Sequence, residues 1–408
     1  MRLAAGMLAL ICLGASCQTG GANPPAPDIL IGSELPMSGL LEPDGLPLVR
    51  AIRLAVLKYP TIGRFRLGYA PYDSAVAGFP TPPKGVQNVR RMIDDAQILG
   101  MVGPFETANA FEEIPVASAA ALAMLSPSNT HWCLTRDNGL CNPQPAGLRR
   151  SGINNYFRIA ATDPDQGRAL ARYVRQQLNL SRVAAFTLQG AFEDLTLDGF
   201  TKEFVRDGGD VVLAKPLPEG TVDFRPFLRD ARADGAEAIF AATEEDVCAV
   251  RKQMNGIFPS STPFMGMDRL QETDDCIQEA GPDADGMLAT VSDLDPNGVE
   301  AASIRAFVTA YNNAYPHGPA ITSYTLMAYD CALIMIQAIT DAVTGNSGRV
   351  PTRGQVVEAL AHSKFQGLIH TYKFDANGDA ISPVMALYRV KGGQWIPVGQ
   401  IDDSPTPA

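Results

Sequence analysis

The sequence predicts an α/β protein with two largely parallel sheets, each covered by helices on both faces. Three observations carry this. Short apolar, strand-like runs alternate with helix-period runs through most of the chain. The strand-like runs are apolar nearly throughout, as parallel strands buried on both faces must be. At 408 residues, the chain also exceeds what one core usually holds, so two domains are expected.

Taken in order, DILIGSELP reads as the first strand, and LVRAIRLAVLKY follows with Leu48, Val49, Ile52, Ala55 and Val56 on one helical face. FRLGYAPYD, GVQNVRRMIDDAQ and ILGMVGP repeat the order strand, helix, strand. LAMLSP gives another strand, then YFRIAAT leads into GRALARYVRQQL, RVAAFTL into LTLDGFTKEFVRD, and DVVLAKPL into FRPFLRDARADG. AEAIFAAT, PFMGM and GMLATVS continue the series. Two long helical runs, EAASIRAFVTAYNNAY and ITSYTLMAYDCALIMIQAITDAV, break the alternation, and hairpin-like segments follow, HTYKFDANGDAISPVMALYRV and GQWIPVG. Asn377-Gly378 is a type I′ turn signal. DANGD has an EF-hand flavour, but its glycine and the missing downstream Glu do not fit that spacing, so a plain turn is expected.

The N-terminus carries Met1-Arg2, then LAAGMLALICLGAS, which is shorter than the ~20 apolar residues of a membrane span. It reads as an export signal. Small residues before Cys17 resemble a bacterial lipoprotein signal in which that cysteine is lipidated, although Leu13 stands one place earlier than the usual aliphatic position. A simple secretory peptide cleaved nearby is the alternative. QTGGANPPAPD then suits a flexible tether. Either reading places the folded part outside the cytoplasm, and no later stretch is expected to span a bilayer.

Charge and cysteines narrow the class. With 33 basic against 44 acidic residues the chain carries −11, which argues against a nucleic-acid surface. Beyond Cys12 and Cys17, Cys133 and Cys141 bracket the short loop CLTRDNGLC and suit a disulfide in an oxidising compartment. Cys248 and Cys276 form a second candidate pair, leaving Cys331 as a buried thiol. A zinc site is disfavoured, because no C-x-x-C occurs and His131, His317, His362 and His370 are scattered. G-x-G-x-x-G, P-loop and G-x-S-x-G motifs are all missing, which moves the balance from catalysis toward binding.

The most informative stretch is LSPSNT, residues 125–130, where hydroxyls and an asparagine end an apolar run. Buried polar groups need partners. Strand ends in open α/β sheets are where ligands sit, beside helix N-termini. ILGMVGP delivers Thr107 to such an edge, and LAMLSP delivers Ser128, Asn129 and Thr130 beside it. Together they could grip a carboxylate without a formal positive charge. The competing reading is helix capping, with Asn109-x-x-Glu112 as a capping box and Thr107 as another cap.

The segments IGSELPMSGLLEPDGLPLVRAIRLAV, MVGPFETAN, MLSPSNT, YFRIAATDPDQGRALARYV and YTLMAYDCALIMIQAI together resemble the solute-binding proteins of branched-chain amino-acid ABC transporters, the Leu/Ile/Val-binding type, from about Asp28 to about Val398. The resemblance implies two Rossmann-like lobes joined by three hinge crossovers, with a ligand trapped between them on closure. Beside the signal peptide over 1–17 and the tether over 18–27 read above, it implies a first lobe of 28–157 and 293–366 and a second of 158–292 and 367–402. It implies a monomer without cofactor that works with a membrane permease and touches a bacterial membrane through its own lipid anchor, at the periplasm or cell surface. By the same resemblance Thr107, Ser128 and Thr130 hold an α-carboxylate and Asp268 pairs with an α-ammonium. Phe192 and Asp44 fall at cleft positions where aromatics are frequent, and Glu244 stands in TEED where aromatics often cover the ligand side chain. Asp268 facing neutral donors makes chemical sense for any zwitterion. If Glu244 faces the cleft, a polar or cationic ligand side chain is expected. A sensor module reading amides on the same fold is the alternative function.

Overall fold

The computed structural model describes residues 26–137, 139, 141–188, 193–243, 247–272, 275–292, 302–368, 370–383 and 385–401. Two main sheets form the frame. The first runs in the order Thr61–Ile62, Phe65–Asp73, Ile29–Leu35, Ile98–Val102, Ala123–Ser126, Tyr156–Arg158. It is parallel apart from the short edge strand Thr61–Ile62. The second runs Asp210–Leu217, Arg182–Leu188, Ala238–Ala241, Phe264–Gly266, Leu288–Val291, Met385–Lys391, Gln394–Ile401, with the last two strands antiparallel.

Alternation along each strand sends neighbouring side chains to opposite covers. In the first sheet Ile29, Ile31, Ala123 and Leu125 face a core completed by the helices Glu42–Lys58 and Ser323–Gly345, whereas Met124 and Met101 face the helices Pro82–Asp94 and Thr107–Ala119. In the second sheet Ala184 and Phe186 meet the helix Arg225–Ala233, while Val183 and Ala185 meet Asp163–Gln176 and Glu193–Arg206. The helix Ser323–Gly345 is 23 residues long and apolar enough to cross a membrane by length and composition. This corrects the expectation that no later stretch has that character. Its side chains are instead consumed by the first lobe, where Leu326, Ile334, Met335, Ala338 and Ile339 are fully buried.

The chain passes between the lobes three times. It leaves the first sheet after Arg158, re-enters the first core with the helix Ala302–Ala314, and joins the second sheet again at Met385. Tyr372, Phe374 and Ala380 belong to the first core, so the last passage lies after Ala380 and not at residue 367. The hairpin Lys364–Gln366/Thr371–Lys373 is thus an appendage of the first lobe.

The first passage is tied to the segment just before the last one by a buried guanidinium. Arg158 is fully buried. Its Nε donates to Asp379 Oδ1 at 2.8 Å, and its other nitrogens donate to His131 O and Thr135 Oγ1, each at 2.6 Å. Asp379 also accepts from Arg136 Nε at 2.6 Å, and Arg136 pairs with Asp375. Burial would raise the Asp379 carboxyl, but Arg158 and Arg136 hold it below its ordinary range. The DANGD segment is a turn, as expected, with its acids spent on arginines and on backbone N–H groups of Asn377 and Asp379. It is not the type I′ form, since Gly378 has positive φ and Asn377 does not. A Cβ on Gly378 would stand 2.3 Å from Tyr156 O.

Both disulfides form, Cys133–Cys141 and Cys248–Cys276, with Cα atoms 5.4 and 4.8 Å apart, and Cys331 is a buried thiol. On the outer side of the first sheet two fully buried acids, Glu34 and Glu113, face each other. Burial holds Glu34 up at about 8, against its hydrogen bond to Glu113, and holds Glu113 well above its ordinary value, with the neighbouring Glu34 adding to the rise.

Two stability predictions follow from these buried groups. Asp379→Ala strands the Arg158 and Arg136 charges, and a loss of about 3–5 kcal/mol is expected in chemical denaturation; a loss under about 1 kcal/mol would show that carbonyls alone satisfy Arg158. For the acid pair, folded-state values above 4.5 mean that the native protein holds more protons than the unfolded chain, so stability falls as pH rises from about 4.5 to about 8. Glu113→Gln should therefore raise the melting temperature by about 5 °C more at pH 8 than at pH 5, and a pH-independent effect would contradict the assignment.

Candidate functional site

A cavity of about 890 Å³ opens between the lobes. It lies beyond the carboxyl ends of strands from both sheets, where an open parallel sheet leaves room for a ligand. From the first lobe come Asp44, Phe105, Glu106, Thr107, Ser128, Thr130 and the turn 319–324; from the second come Asp268, Arg269, Gln271, Tyr388 and Trp395.

Local sequence explains this convergence. The strand Ile98–Val102 is followed by Gly103 and Pro104, and Phe105 and Glu106 then line the cavity before the helix Thr107–Ala119 begins. The neighbouring strand ends at Ser126, whose Oγ donates to Pro104 O at 2.9 Å and accepts the backbone N–H of Asn129 at 3.1 Å. Ser128 Oγ and Asn129 Nδ2 both donate to Phe105 O, at 2.9 and 2.7 Å. The two strand ends are therefore stitched into one wall. The capping reading is not taken up: Glu106 occupies the N-cap position without a side-chain cap, and Asn109 is buried with its Nδ2 3.4 Å from Glu34 Oε1.

The predicted residues Asp44, Thr107, Ser128, Thr130 and Asp268 all line this cavity. Asn129 does not, a correction with a clear cause. Its amide is consumed by Phe105 O and by the Tyr156 hydroxyl, which donates to Asn129 Oδ1 at 2.9 Å. It shapes the wall from behind. Phe192 and Glu244 lie outside the described residues, as does Cys17. Sequence reasoning missed Phe105, Glu106, Arg269, Tyr324, Tyr388 and Trp395. Glu106 and Arg269 each adjoin a residue already singled out, and Tyr324 opens YTLMAYD, so proximity to those motifs was the available signal. Tyr388 and Trp395 come from a hairpin that offers none.

Electrostatically, the wall is prepared for a cation on one side and an anion on the other. Asp268 is nearly inaccessible and sits just after the strand Phe264–Gly266. Gln166 Nε2 donates to its Oδ2 and the Arg269 backbone N–H to its Oδ1, both at 3.0 Å. Burial raises the Asp268 carboxyl, against the opposing bonds from Gln166, Arg269 N–H and Tyr324. Gln166 is itself fixed by Thr290 Oγ1 at 3.2 Å. Behind Thr130, Asp163 is pushed up to about 7 by burial and by the charge of Asp268, opposed by its bond to Thr130 and by Arg158. Two helices, Thr107–Ala119 and Ser323–Gly345, start at the opposite wall, where their free N–H groups and dipoles favour negative charge. Burial and Arg158 hold the His131 ring neutral, down to about 3, while Nδ1 accepts the Cys133 N–H at 2.9 Å.

Comparison with known proteins agrees with this arrangement. The family model described as periplasmic binding protein matches residues 28–394. The chain is 24% identical over 384 residues to the Leu/Ile/Val-binding protein homolog 7 of Brucella abortus, covering 90% of each. An ABC transporter substrate-binding protein from Desulfitobacterium hafniense, solved in complex with Leu, superposes with a TM-score of 0.72 at 19% identity, covering 91% of this chain and 99% of that one. A solute-binding protein of an ABC transporter from R. palustris, solved with 4-hydroxybenzoate, superposes with a TM-score of 0.69 at 18% identity, covering 92% and 96%. The α/β fold is thus matched over nearly the whole described length, and with the family model spanning residues 28–394 the chain belongs to the periplasmic binding protein family.

Proposed function

We propose that this protein is an extracytoplasmic receptor of an ABC importer, which captures an amino acid between its lobes and presents it to a membrane permease. The observation that carries the reading is the division of labour across the cavity. A buried carboxylate, Asp268, stands on the second lobe, while Thr107 and two helix N-termini stand on the first. An α-ammonium needs acceptors and an α-carboxylate needs donors, and one zwitterion bridging the two sets would hold the lobes closed. An ammonium beside Asp268 would also offset the burial that raises this acid. Relatives of the importer class, one of them solved with Leu, support the amino-acid assignment.

The reading assigns no chemical step to the cavity. It includes lipid anchoring through Cys17, with 18–27 as the tether that lets the lobes reach a permease from a fixed membrane point. The protein then acts as a monomer held at a bacterial membrane.

Calorimetry against the common amino acids, after unfolding and refolding to strip carried ligand, tests the receptor assignment. Asp268→Ala is expected to weaken amino-acid binding by roughly 3–5 kcal/mol, the cost of leaving a buried ammonium unpaired; unchanged affinity would remove Asp268 from the site. Cys17→Ser should move the protein from the membrane fraction to the soluble one on cell fractionation, and a variant that stays in the membrane fraction would exclude the lipid anchor.

A further inference from the structure

We propose that the edge of the first lobe opposite the ligand cavity is a membrane-binding face that rests on anionic phospholipid headgroups; this builds on the anchoring at Cys17 proposed above. The parallel strands of the first sheet begin at this edge and end toward the cavity. The chain also joins the fold here. Gln97 Nε2 donates to Pro27 O at 2.6 Å, and the Asp28 N–H donates to Arg66 O at 2.9 Å. A tether over 18–27 spans at most about 35 Å when fully extended. It therefore keeps this edge, and not the cavity, nearest to a lipid held at Cys17.

Basic side chains gather around that entry point. Residues 57–66, 90–97 and 349–353, with Asp28, carry seven Lys or Arg against three Asp, in a chain whose balance is −11. Printed bonds join these segments into one surface: Arg66 pairs with Asp28 at 3.1 Å, Gln97 holds Pro27, and Arg353 donates to Asp95 O at 2.8 Å and to Ile98 O at 2.9 Å. Arg66 and Arg353 are spent in holding the edge together. Lys58, Arg64, Arg91 and Arg349 are exposed and make no ion pair among the described residues. Lys58 Nζ lies 3.5 Å from the Tyr329 hydroxyl and 5.6 Å from the Tyr59 ring centre, Arg64 lies 5.1 Å from that of Phe65, and Arg349 Nε reaches the Asn346 carbonyl at 3.4 Å. Neutral partners of this kind leave the charge facing water.

Helix C-termini favour basic residues whatever lies outside, which accounts for Lys58, Arg91 and Arg349 at the ends of the helices Glu42–Lys58, Pro82–Asp94 and Ser323–Gly345. It does not account for Arg64, in the turn between the strands Thr61–Ile62 and Phe65–Asp73. Nor does it account for Leu57, Tyr59 and Val350, large apolar side chains that stand 66, 43 and 45% exposed in the same segments. Aliphatic and aromatic side chains beside Lys and Arg suit the headgroup level of a bilayer, where the cations meet phosphate and the apolar groups enter the acyl boundary. A receptor lying on this edge holds its cavity, at the other end of the same strands, turned away from the bilayer and open to solutes. Delivery to a permease then requires the lobe to lift off, which a contact made by a few exposed charges permits.

The test is cosedimentation of the purified Cys17→Ser chain, which has no lipid of its own, with vesicles of phosphatidylcholine alone or mixed with phosphatidylglycerol. Binding to the mixed vesicles should be at least roughly tenfold tighter than to the neutral ones, and should be lost in about 1 M salt, where the screening length falls to about 3 Å. Lys58→Glu, Arg64→Glu and Arg349→Glu combined should weaken binding to the mixed vesicles by at least roughly tenfold, with an unchanged melting temperature confirming a folded variant. Equal sedimentation with both kinds of vesicle, sedimentation with neither, or full binding by the folded triple variant would each overturn the proposal. The anchor at Cys17 is judged separately, by the cell fractionation described above, so the failure of either reading is distinguishable from that of the other.

Discussion

The structure turns on the buried guanidinium of Arg158. It sits where the chain first leaves the first lobe, and it reaches the carbonyl of His131 just beyond the SPSNT wall, the hydroxyl of Thr135 in the disulfide loop and the carboxylate of Asp379 near the last passage between lobes. A fully buried charge tolerates little displacement, because each lost partner leaves an uncompensated donor in a medium of low dielectric. The position of the ligand-facing wall is therefore locked to the position of the hinge segments. Any rotation of one lobe against the other must bend around this cluster and leave it intact, so the opening motion belongs to the segments on either side of it.

The cavity itself follows from the same economy of buried polar groups. Ser126, Ser128 and Asn129 are each bonded to a neighbouring strand end, so the first-lobe wall is rigid before any ligand arrives. Asp268 is likewise oriented by Gln166 and by the next backbone N–H. Such preorganisation lowers the ordering cost of binding.

Much of this was legible in the sequence, and the limits have physical reasons. The alternation of apolar strands and helices gave two covered sheets, since burial on both faces leaves a continuous apolar run that no other architecture requires so often. Thr107 and Ser128 were legible as polar residues at the ends of such runs, whereas Asp268 was reached only through the resemblance to a known family. Asn129 looked the same and proved different, because its partners, Phe105 O and Tyr156, lie on segments whose adjacency is created by the fold. Tyr388 and Trp395 could not be found for a related reason: they stand on the closing hairpin of the second sheet, far along the chain from every other residue of the wall. The helix Ser323–Gly345 illustrates the opposite ambiguity. Its composition alone does not distinguish a core from a bilayer, and the surrounding helices decide.

The threading of the chain through both lobes governs when either can form. The first core needs residues near Ile29 and near Ala380 together, and the second sheet needs Arg182 together with the strands that end at Ile401. Contacts of such long sequence separation are slow to make, because the loop must be closed before any of them is rewarded. A nascent chain cut short of residue 385 would lack two strands of one sheet, and one cut short of Ser323 would lack the central helix of the other core. Completion of both lobes is consequently a late event for this polypeptide, reached only when almost the last residue has emerged.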